Sequence, residues 1–592
     1  MDAQNANARM VTKLMFRLLP VQALLVAVDS LDGFVSSFFA NNYVGVEAMS
    51  AVGFYSPINT FIGALSLMLS GGTSIVCGKY LGRNQNDKLQ DVFSLNMLLT
   101  SGLSFILALV FIFMSLSNLT TVFCDDEAIR PLFNAYLIGQ ALGFLPNIMT
   151  NQLPVFLAFE NRDDRTLISS IAYVISSIAF NFVFVQAMRV EALGLALATT
   201  VGNWIFFAVQ AQYFFTKKAH LRFSFTKPEA KEVKEIVKTG LPGASTNIYQ
   251  TIRGFIVNHL IVVFVGSIGI TAFATVDNLM RVFWAIPMGM VTVSRLLISV
   301  SIGEEDRQTL TDIMRVMFSR FVPLMFLICL GICFATEPLT NLFFHNPAEP
   351  VYLMTLWGFR IMPFFMPFGI IVLHFVCYAQ AINKQFMVNL LSLLDGVVYM
   401  CVLSLLLIET YGINGIYMAT VLSSVAACIT ILFYSCIVNR KIPQNMDELM
   451  MIPDYLGVKE EERLDLSVQT INDVVKISQM VQDFCLNLGI DEKRSYLAGL
   501  SLEEMAGNVV EHGYTKDKKK HAIDVRVVYI SDEDDVVLRI KDDCKPFNPE
   551  ERSRIIDKND LSKNIGLRMV YKIAEDVQYQ YLLGLNVLTI RI

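Results

Sequence analysis

Twelve stretches of this chain each run for about twenty or more residues with few charges, long enough to cross the hydrocarbon of a bilayer as helices. They fall near residues 14–40, 50–78, 92–116, 131–158, 166–188, 192–215, 234–265, 269–302, 312–335, 351–380, 386–408 and 412–438. In lipid a backbone polar group finds no water, so continuous apolar runs of this length are restricted to helices. Several exceed about 25 residues, which implies tilt or kinks. Pro57, Pro146, Pro154, Pro287, Pro363 and Pro367 lie inside them, tolerable where neighbouring helices pair the freed backbone. Charged residues make up 17% of the 592 residues against about 25% in a soluble domain. The deficit is confined to residues 13–438, because 439–592 has an ordinary soluble composition. The leading MDAQNANARM is polar and the run behind it is too long for a cleaved leader. The ten cysteines form no CxxC pair and read as reduced, small apolar residues. A net charge of −6 does not suggest nucleic acid as a partner; the lipid bilayer is the expected one.

Basic residues are distributed unevenly between alternate loops. One set carries Lys13, Arg17, Lys79, Arg83, Lys88, Arg162, Arg165, Lys384, Arg440 and the run from Lys217 to Lys238. The other set has little beyond Arg130 and Arg189. By the positive-inside rule both termini are expected in the cytoplasm, in a multi-pass cell-membrane protein. The membrane part also repeats itself. Pro146 pairs with Pro367, Gly82 with Gly303, Gly194 with Gly415 and Thr199 with Thr420, all 221 residues apart, and Pro20 pairs with Pro242 at 222. A nearly constant offset over several loops marks an internal duplication. The expected fold is therefore multidomain. An all-α domain of 12 transmembrane helices in two six-helix halves, related by an axis along the membrane normal, precedes a soluble domain.

Intramembrane ionisable groups are costly and usually functional. The first helix contains VDSLDGFVSS, where Asp29 and Asp32 share a face and Ser36 follows one turn on. The repeat offset carries Asp32 onto Arg253 in TIRGFIVN, which suggests that the two face each other near the pseudo-twofold axis. Asp277, Arg281, Arg360, His374 and Asp395 are further candidates, with Asp277 and Arg281 spaced for a local helical pair. His259 and His374 read as hydrogen-bonded core histidines. GGTSIVCGKY lacks the spacing of a phosphate-binding loop, so a cassette-type ATP pump is not indicated.

Twelve helices in two halves, prolines opening helices one and seven, GVEAMSAVGFYSPI after the first helix and LISVSIGEEDR after the eighth resemble the multidrug and toxic compound extrusion (MATE) family. The resemblance covers about residues 10–440. It implies an antiporter that expels amphipathic, often cationic, small molecules against inward Na⁺ or H⁺ by alternating access. It also places the family's coupling aspartate position at Ser36, one turn beyond Asp32, so the coupling role does not transfer directly.

The soluble part reads as a strand, RLDLSV, then an amphipathic helix over 470–488 and a helix ending in EEMAGNVVEHGY, where Glu504, Asn508 and His512 recur every four residues. AIDVRVVYI and VVLRIK alternate at period two around SDEDD and predict a hairpin. SKNIGLRMVYKIAEDV reads as a loop and helix, and NVLTIRI as a last strand. The sum is an α+β sandwich with helices on one face of a mostly antiparallel sheet. This order resembles the ATPase domain of histidine kinases and, more closely, of anti-sigma-factor serine kinases, over residues 463–592. The resemblance implies ATP and Mg²⁺ as cofactors, with Glu504 as the catalytic base, Asn508 as the Mg²⁺ ligand, Asp542 as the adenine-binding group and Gly566 beside the phosphates. Cys544, Pro546 and Asn564 stand where that family favours glycines. No histidine lies between 439 and 500, so a phospho-accepting histidine in cis is not expected, whereas phosphorylation of an anti-anti-sigma-like partner is.

The domain plan is a polar tail at 1–12, half one at 13–216, a connector at 217–233, half two at 234–440, a linker at 441–462 and the ATPase-like domain at 463–592. Three functions fit it: an ion-coupled exporter with a nucleotide-binding regulatory domain, a membrane receptor that phosphorylates a partner, or a flippase for lipid-linked oligosaccharides.

Overall fold

The computed structural model describes residues 3–39, 43–44, 46–117, 119–122, 127, 129–224, 230–454, 456–458, 460–513, 523–530, 534–546, 548–549 and 565–592. A first helical segment comprises α1 (Ala3–Phe39), α2 (Val46–Gly82), α3 (Asn86–Leu116), α4 (Arg130–Ala141), α5 (Phe144–Phe159), α6 (Asp163–Asn181) and α7 (Glu191–Ala211). A second begins with α8 (Ala230–Phe264), α9 (Ser267–Phe283), α10 (Ala285–Gly303), α11 (Arg307–Val316), α12 (Val322–Phe334) and α13 (Thr336–Asn341). It continues through α14 (Pro350–Ile361), α15 (Phe365–Ala381), α16 (Gln385–Leu393), α17 (Tyr399–Tyr411) and α18 (Ile413–Asn439).

Among the described residues, ten helical stretches are long and apolar enough to cross a membrane. The expected runs 131–158 and 234–265 are not among them, each for a local reason. The first is divided at Leu142–Gly143, where the Gly143 N–H turns back onto the Gln140 carbonyl, leaving two helices of 12 and 16 residues. The second is the unbroken 35-residue α8, diluted by Thr246, Gln250, Arg253, Asn258 and His259.

Small residues let the two segments approach closely, as expected where no hydrophobic drive separates helix from lipid. A β-carbon on Gly82 would strike the Val300 carbonyl and one on Gly303 would strike the Lys79 carbonyl. Gly72 and Gly240 lie equally tight against the backbones of Ile236 and Met68. The segments are thus shut against each other at this end. Two buried polar side chains in the bundle are paired across helices: Asn96 donates to Thr73 (2.8 Å) and Gln152 (3.1 Å), and His374 lies 2.7 Å from the Ser294 hydroxyl.

After α18 a short helix, α19 (Met446–Met450), is tied to the second segment. Arg307 holds Asp447 at 2.6 Å, and the Lys384 ammonium donates to the Met451 carbonyl at 2.7 Å. The C-terminal domain is a five-stranded antiparallel sheet of β1 (Arg463–Val468), β2 (Ile523–Ile530), β3 (Asp535–Asp542), β4 (Asp576–Leu582) and β5 (Leu585–Arg591), in the order β1-β2-β3-β5-β4. Helices α20 (Ile471–Asn487), α21 (Glu492–Asn508) and α22 (Ile565–Ile573) cover one face. Thr470 and Asp473 form a reciprocal cap that starts α20 where the polar-to-apolar switch predicts.

The RLDLSV strand and the hairpin appear as expected, whereas β4 does not match the expectation. The helix expected to reach Val577 stops at Ile573, and residues 576–582, where no strand is expected, form one: Val577 and Tyr579 face the core, and the strand closes onto β5 through Leu583 and Gly584, both at positive φ. Two positive-φ residues are the geometry of a tight two-residue hairpin, a signal that Leu583 conceals.

Candidate functional site

Period-two alternation gives the sheet two unlike faces. Leu466, Val468, Ile523, Val525, Val527, Leu538, Ile540, Leu588 and Ile590 point into a core shared with α20, α21 and α22. Between that core and the helices lies the first candidate site. Glu504 and Asn508 stand one turn apart at the end of α21, both half-buried. A wide turn over Val509–Gly513 follows, so the four-residue spacing continues as an α-helix only to Asn508; the His512 side chain lies outside the described residues. Wide turns of this kind recur at functional sites.

Gly566, in the first turn of α22, is packed so closely on the Glu504 carboxyl that any β-carbon would overlap it. The acid of α21 thus meets the start of α22, and a side chain at 566 would displace the flexible Glu504 carboxyl. Asp542, at the end of β3, is 4% exposed. Its Oδ1 accepts from the Asn586 amide at 2.7 Å and from the Cys544 N–H at 3.0 Å. Burial pushes its carboxyl above the ordinary carboxylate range, while those hydrogen bonds oppose the shift. Asn586 was not foreseen. It lies across the ladder from Asp542 in the β3–β5 register, and a buried amide there also donates to the Lys545 carbonyl at 3.2 Å. Because Cys544 engages Asp542 through its backbone, a side chain at 544 is no obstacle to this contact. Asn564 lies outside the described residues.

The opposite face carries Asp465, Asp524, Arg526, Arg539, Lys541, Gln578, Gln580 and Arg591, and it is docked on the helical domain. Asp306, in the loop between α10 and α11, is 1% exposed and pairs with Arg526 and with Lys541 at 3.3 Å. Glu304 takes Lys541 at 2.7 Å and the Gln308 amide oxygen takes Arg463 at 3.1 Å. These cations, Arg526 foremost, hold the Asp306 carboxyl well below its usual range against the cost of burial. The Asp306 Oδ1 also accepts from the Thr309 N–H at 2.8 Å, capping α11. On the other edge Asn84 donates to Gln578 at 2.9 Å and bonds Gln580, and Asn161 reaches the Tyr581 carbonyl at 3.3 Å. Lys13 of α1 pairs with Asp543, next to Asp542. A polar cavity of about 1110 Å³ remains between the sheet and these loops. The signal for this interface was legible as GEED in one loop and alternating cations on β2 and β3, but nothing local linked the two.

The membrane candidates are brought together only in part. Asp277 and Arg281 form the local pair expected, at 3.0 Å, on an exposed face. Arg253, in α8, lies within electrostatic reach of Asp395, in a wide helical turn over Leu394–Val398. The side chains of Asp29, Asp32 and Ser36 lie outside the described residues, and with them the expected meeting of Asp32 and Arg253.

Comparison with known proteins bears on both parts. Residues 23–209 match the MatE family model, and residues 468–592 match the model of the histidine kinase-like ATPase domain. The multidrug export protein MepA of Staphylococcus saprophyticus is 22% identical over 432 residues, covering 71% of this chain and 92% of that protein. The multidrug resistance protein NorM of Aliivibrio fischeri is 25% identical over 139 residues, 22% of this chain and 30% of its own length. The chain thus spans less than a third of that relative. A solved outward-facing multidrug resistance MATE family transporter superposes with a TM-score of 0.66 at 17% identity, covering 71% of this chain and 94% of the transporter. A Vibrio cholerae MATE transporter gives 0.66 at 15%, covering 74% and 98%. At these identities the superpositions speak to the fold. The chain therefore joins a helical membrane domain of MATE-transporter fold, with a MatE domain at residues 23–209, to a histidine kinase-like ATPase domain at residues 468–592.

Proposed function

We propose that the protein is an ion-coupled exporter of amphipathic or cationic small molecules whose ATPase-like domain regulates transport from the cytoplasm. The helical part is read as twelve crossings in two six-helix halves, residues 13–216 and 234–440, working by alternating access. The mutual packing of Gly82 and Gly303, 221 residues apart, supports this reading, since pseudo-symmetric residues meet on a twofold axis. The match to MepA across most of that protein's length supports export. The basic loops support a cytoplasmic location for both termini. Asp32, Asp29, Ser36, Arg253, Asp277 and Asp395 remain the proposed ion-coupling set for Na⁺ or H⁺, with Arg253 and Asp395 as its best-supported pair.

In the C-terminal domain the steric cradle at Gly566 and the fixed carboxyl of Asp542 suit a nucleotide. Asp542 would accept from the adenine amino group, Asn508 would hold Mg²⁺ through its amide oxygen, and Glu504 would take the proton from an attacking hydroxyl. When bound, Mg·ATP supplies a transferable phosphoryl group. A serine or threonine of an anti-anti-sigma-like partner is the proposed acceptor. The observation that carries regulation is the docking of the sheet's charged face on the loops of both helical segments, because nucleotide alters transport only if it favours one transporter state.

The test is ethidium flux in proteoliposomes of the full chain under an imposed Na⁺ or H⁺ gradient, with and without Mg·ATP. Uphill flux changed by nucleotide, and unchanged by it in Asn508→Ala, is expected. Ethidium binding without flux under either gradient would favour the receptor reading instead.

A further inference from the structure

A sheet whose strands are hydrogen-bonded from β1 to β4 is a stiff plate, and this plate is held at both ends. Its β1–β3 end is gripped by the second helical segment, through Glu304, Asp306 and Gln308 against Lys541, Arg526 and Arg463. Its β4–β5 end is gripped by the first segment, whose α1 also packs against β1 and β2. There Asn84 binds Gln578 and Gln580, Asn161 binds the Tyr581 carbonyl, and Gly584 lies against the Arg17 guanidinium. β3 and β5 pair from Val537–Arg591 through Asp542–Asn586, so no flexible joint divides the two grips. Beneath the plate Gly82 and Gly303, one from each segment, are in backbone contact.

We propose that the C-terminal sheet is a brace across the two helical segments, and that the segments separate at this end only after the sheet has let go of one of them. The two grips differ in chemistry. The second segment holds by charge-assisted bonds among buried side chains, which are about twice as strong as neutral ones. The first segment's end holds by neutral amides and the Lys13–Asp543 salt bridge, and there Leu583 and Val587 of the hairpin are buried in the apolar core of the helical domain. This inference rests on the two segments moving as separate bodies, and not on nucleotide binding or on export.

Two distances in the full chain in nanodiscs test it. Spin labels carried by non-canonical amino acids at Lys88 and Asn383, both exposed, report the separation of the segments; labels at Asn383 and Lys476 report docking on the second segment. Lys541→Glu sets a third carboxylate against Glu304 and Asp306. It should lengthen the docking distance and add a longer Lys88–Asn383 population. The exchanged pair Glu304→Lys with Lys541→Glu should restore both distances, which a misfolded domain would not do. Asn84→Ala with Asn161→Ala should also add a longer Lys88–Asn383 population while leaving the Asn383–Lys476 distance unchanged. A lengthened docking distance with an unchanged Lys88–Asn383 distance overturns the brace. Unchanged docking in Lys541→Glu, or no recovery in the exchanged pair, overturns it as well.

Discussion

Docking of the sheet should weaken as pH rises, and Asp524 is the reason. It lies on the outer face of β2, between Ser467 of β1 and Lys541 of β3 in the ladder register. Both its carboxylate oxygens are sealed from solvent and, among the described residues, have no hydrogen-bond partner. Burial dominates and pushes its carboxyl up to about 7, with Asp465 and Asp312 acting in the same direction and Lys541 and Arg526 opposing. Once released, the same side chain stands on an open sheet face and titrates near the ordinary value of about 3.9. A carboxyl whose docked value is raised favours docking when protonated. Its contribution is complete below about pH 4 and is lost as pH rises through the docked value. Between pH 5 and pH 8 the upper limit is a weakening of roughly 80-fold, or about 2.6 kcal/mol. Asp306 has the opposite sign: its depressed carboxyl favours docking above the ordinary range and loses that effect only at lower pH, outside this window. The assay is the Asn383–Lys476 distance distribution of the full chain measured from pH 5 to pH 8. The undocked fraction should grow with pH in the wild type, and Asp524→Asn, which keeps the shape and removes the titration, should be flat and docked throughout. A flat wild-type profile, or a slope that survives in Asp524→Asn, refutes the reasoning.

Three other outcomes follow from local geometry. Gly566→Ala displaces the flexible Glu504 carboxyl, so domain stability by calorimetry should change little while Mg·ATP binding, read with a fluorescent nucleotide, should fall; unchanged binding would separate this contact from the nucleotide site. Gly303→Ala forces α2 and α10 apart at the Lys79 carbonyl, so the purified protein should melt several degrees lower by scanning fluorimetry; an unchanged melting temperature would mean the helices are looser than described. Thr470→Ala removes the reciprocal cap of α20 and should destabilise the C-terminal domain by about 1 kcal/mol in urea, while Thr470→Ser should be nearly silent.

Much of this architecture is local and was therefore readable along the chain. Apolar length alone dictates membrane helices, because a backbone without water must pair with itself. Period-two alternation in RLDLSV and AIDVRVVYI dictates strands with one apolar face, and the ExxxN spacing places Glu504 and Asn508 on one side of α21. β4 escaped because its turn rests on two left-handed residues, one of them Leu583, which carries no turn signal.

What lies across long separations was decided only by the tertiary structure. Asn586 holds Asp542 across 44 residues, and Lys541 meets Glu304 across 237. Whether an outward-facing arginine or lysine is solvated or buried in an ion pair is a property of what packs over it, and alternation records only which face it occupies. The amino-acid sequence by itself thus determined that there are two domains and what each resembles. Only the packing of the charged sheet face on the GEED loop decided that they form one mechanical unit, because Coulomb attraction is set by distance in space and not along the chain.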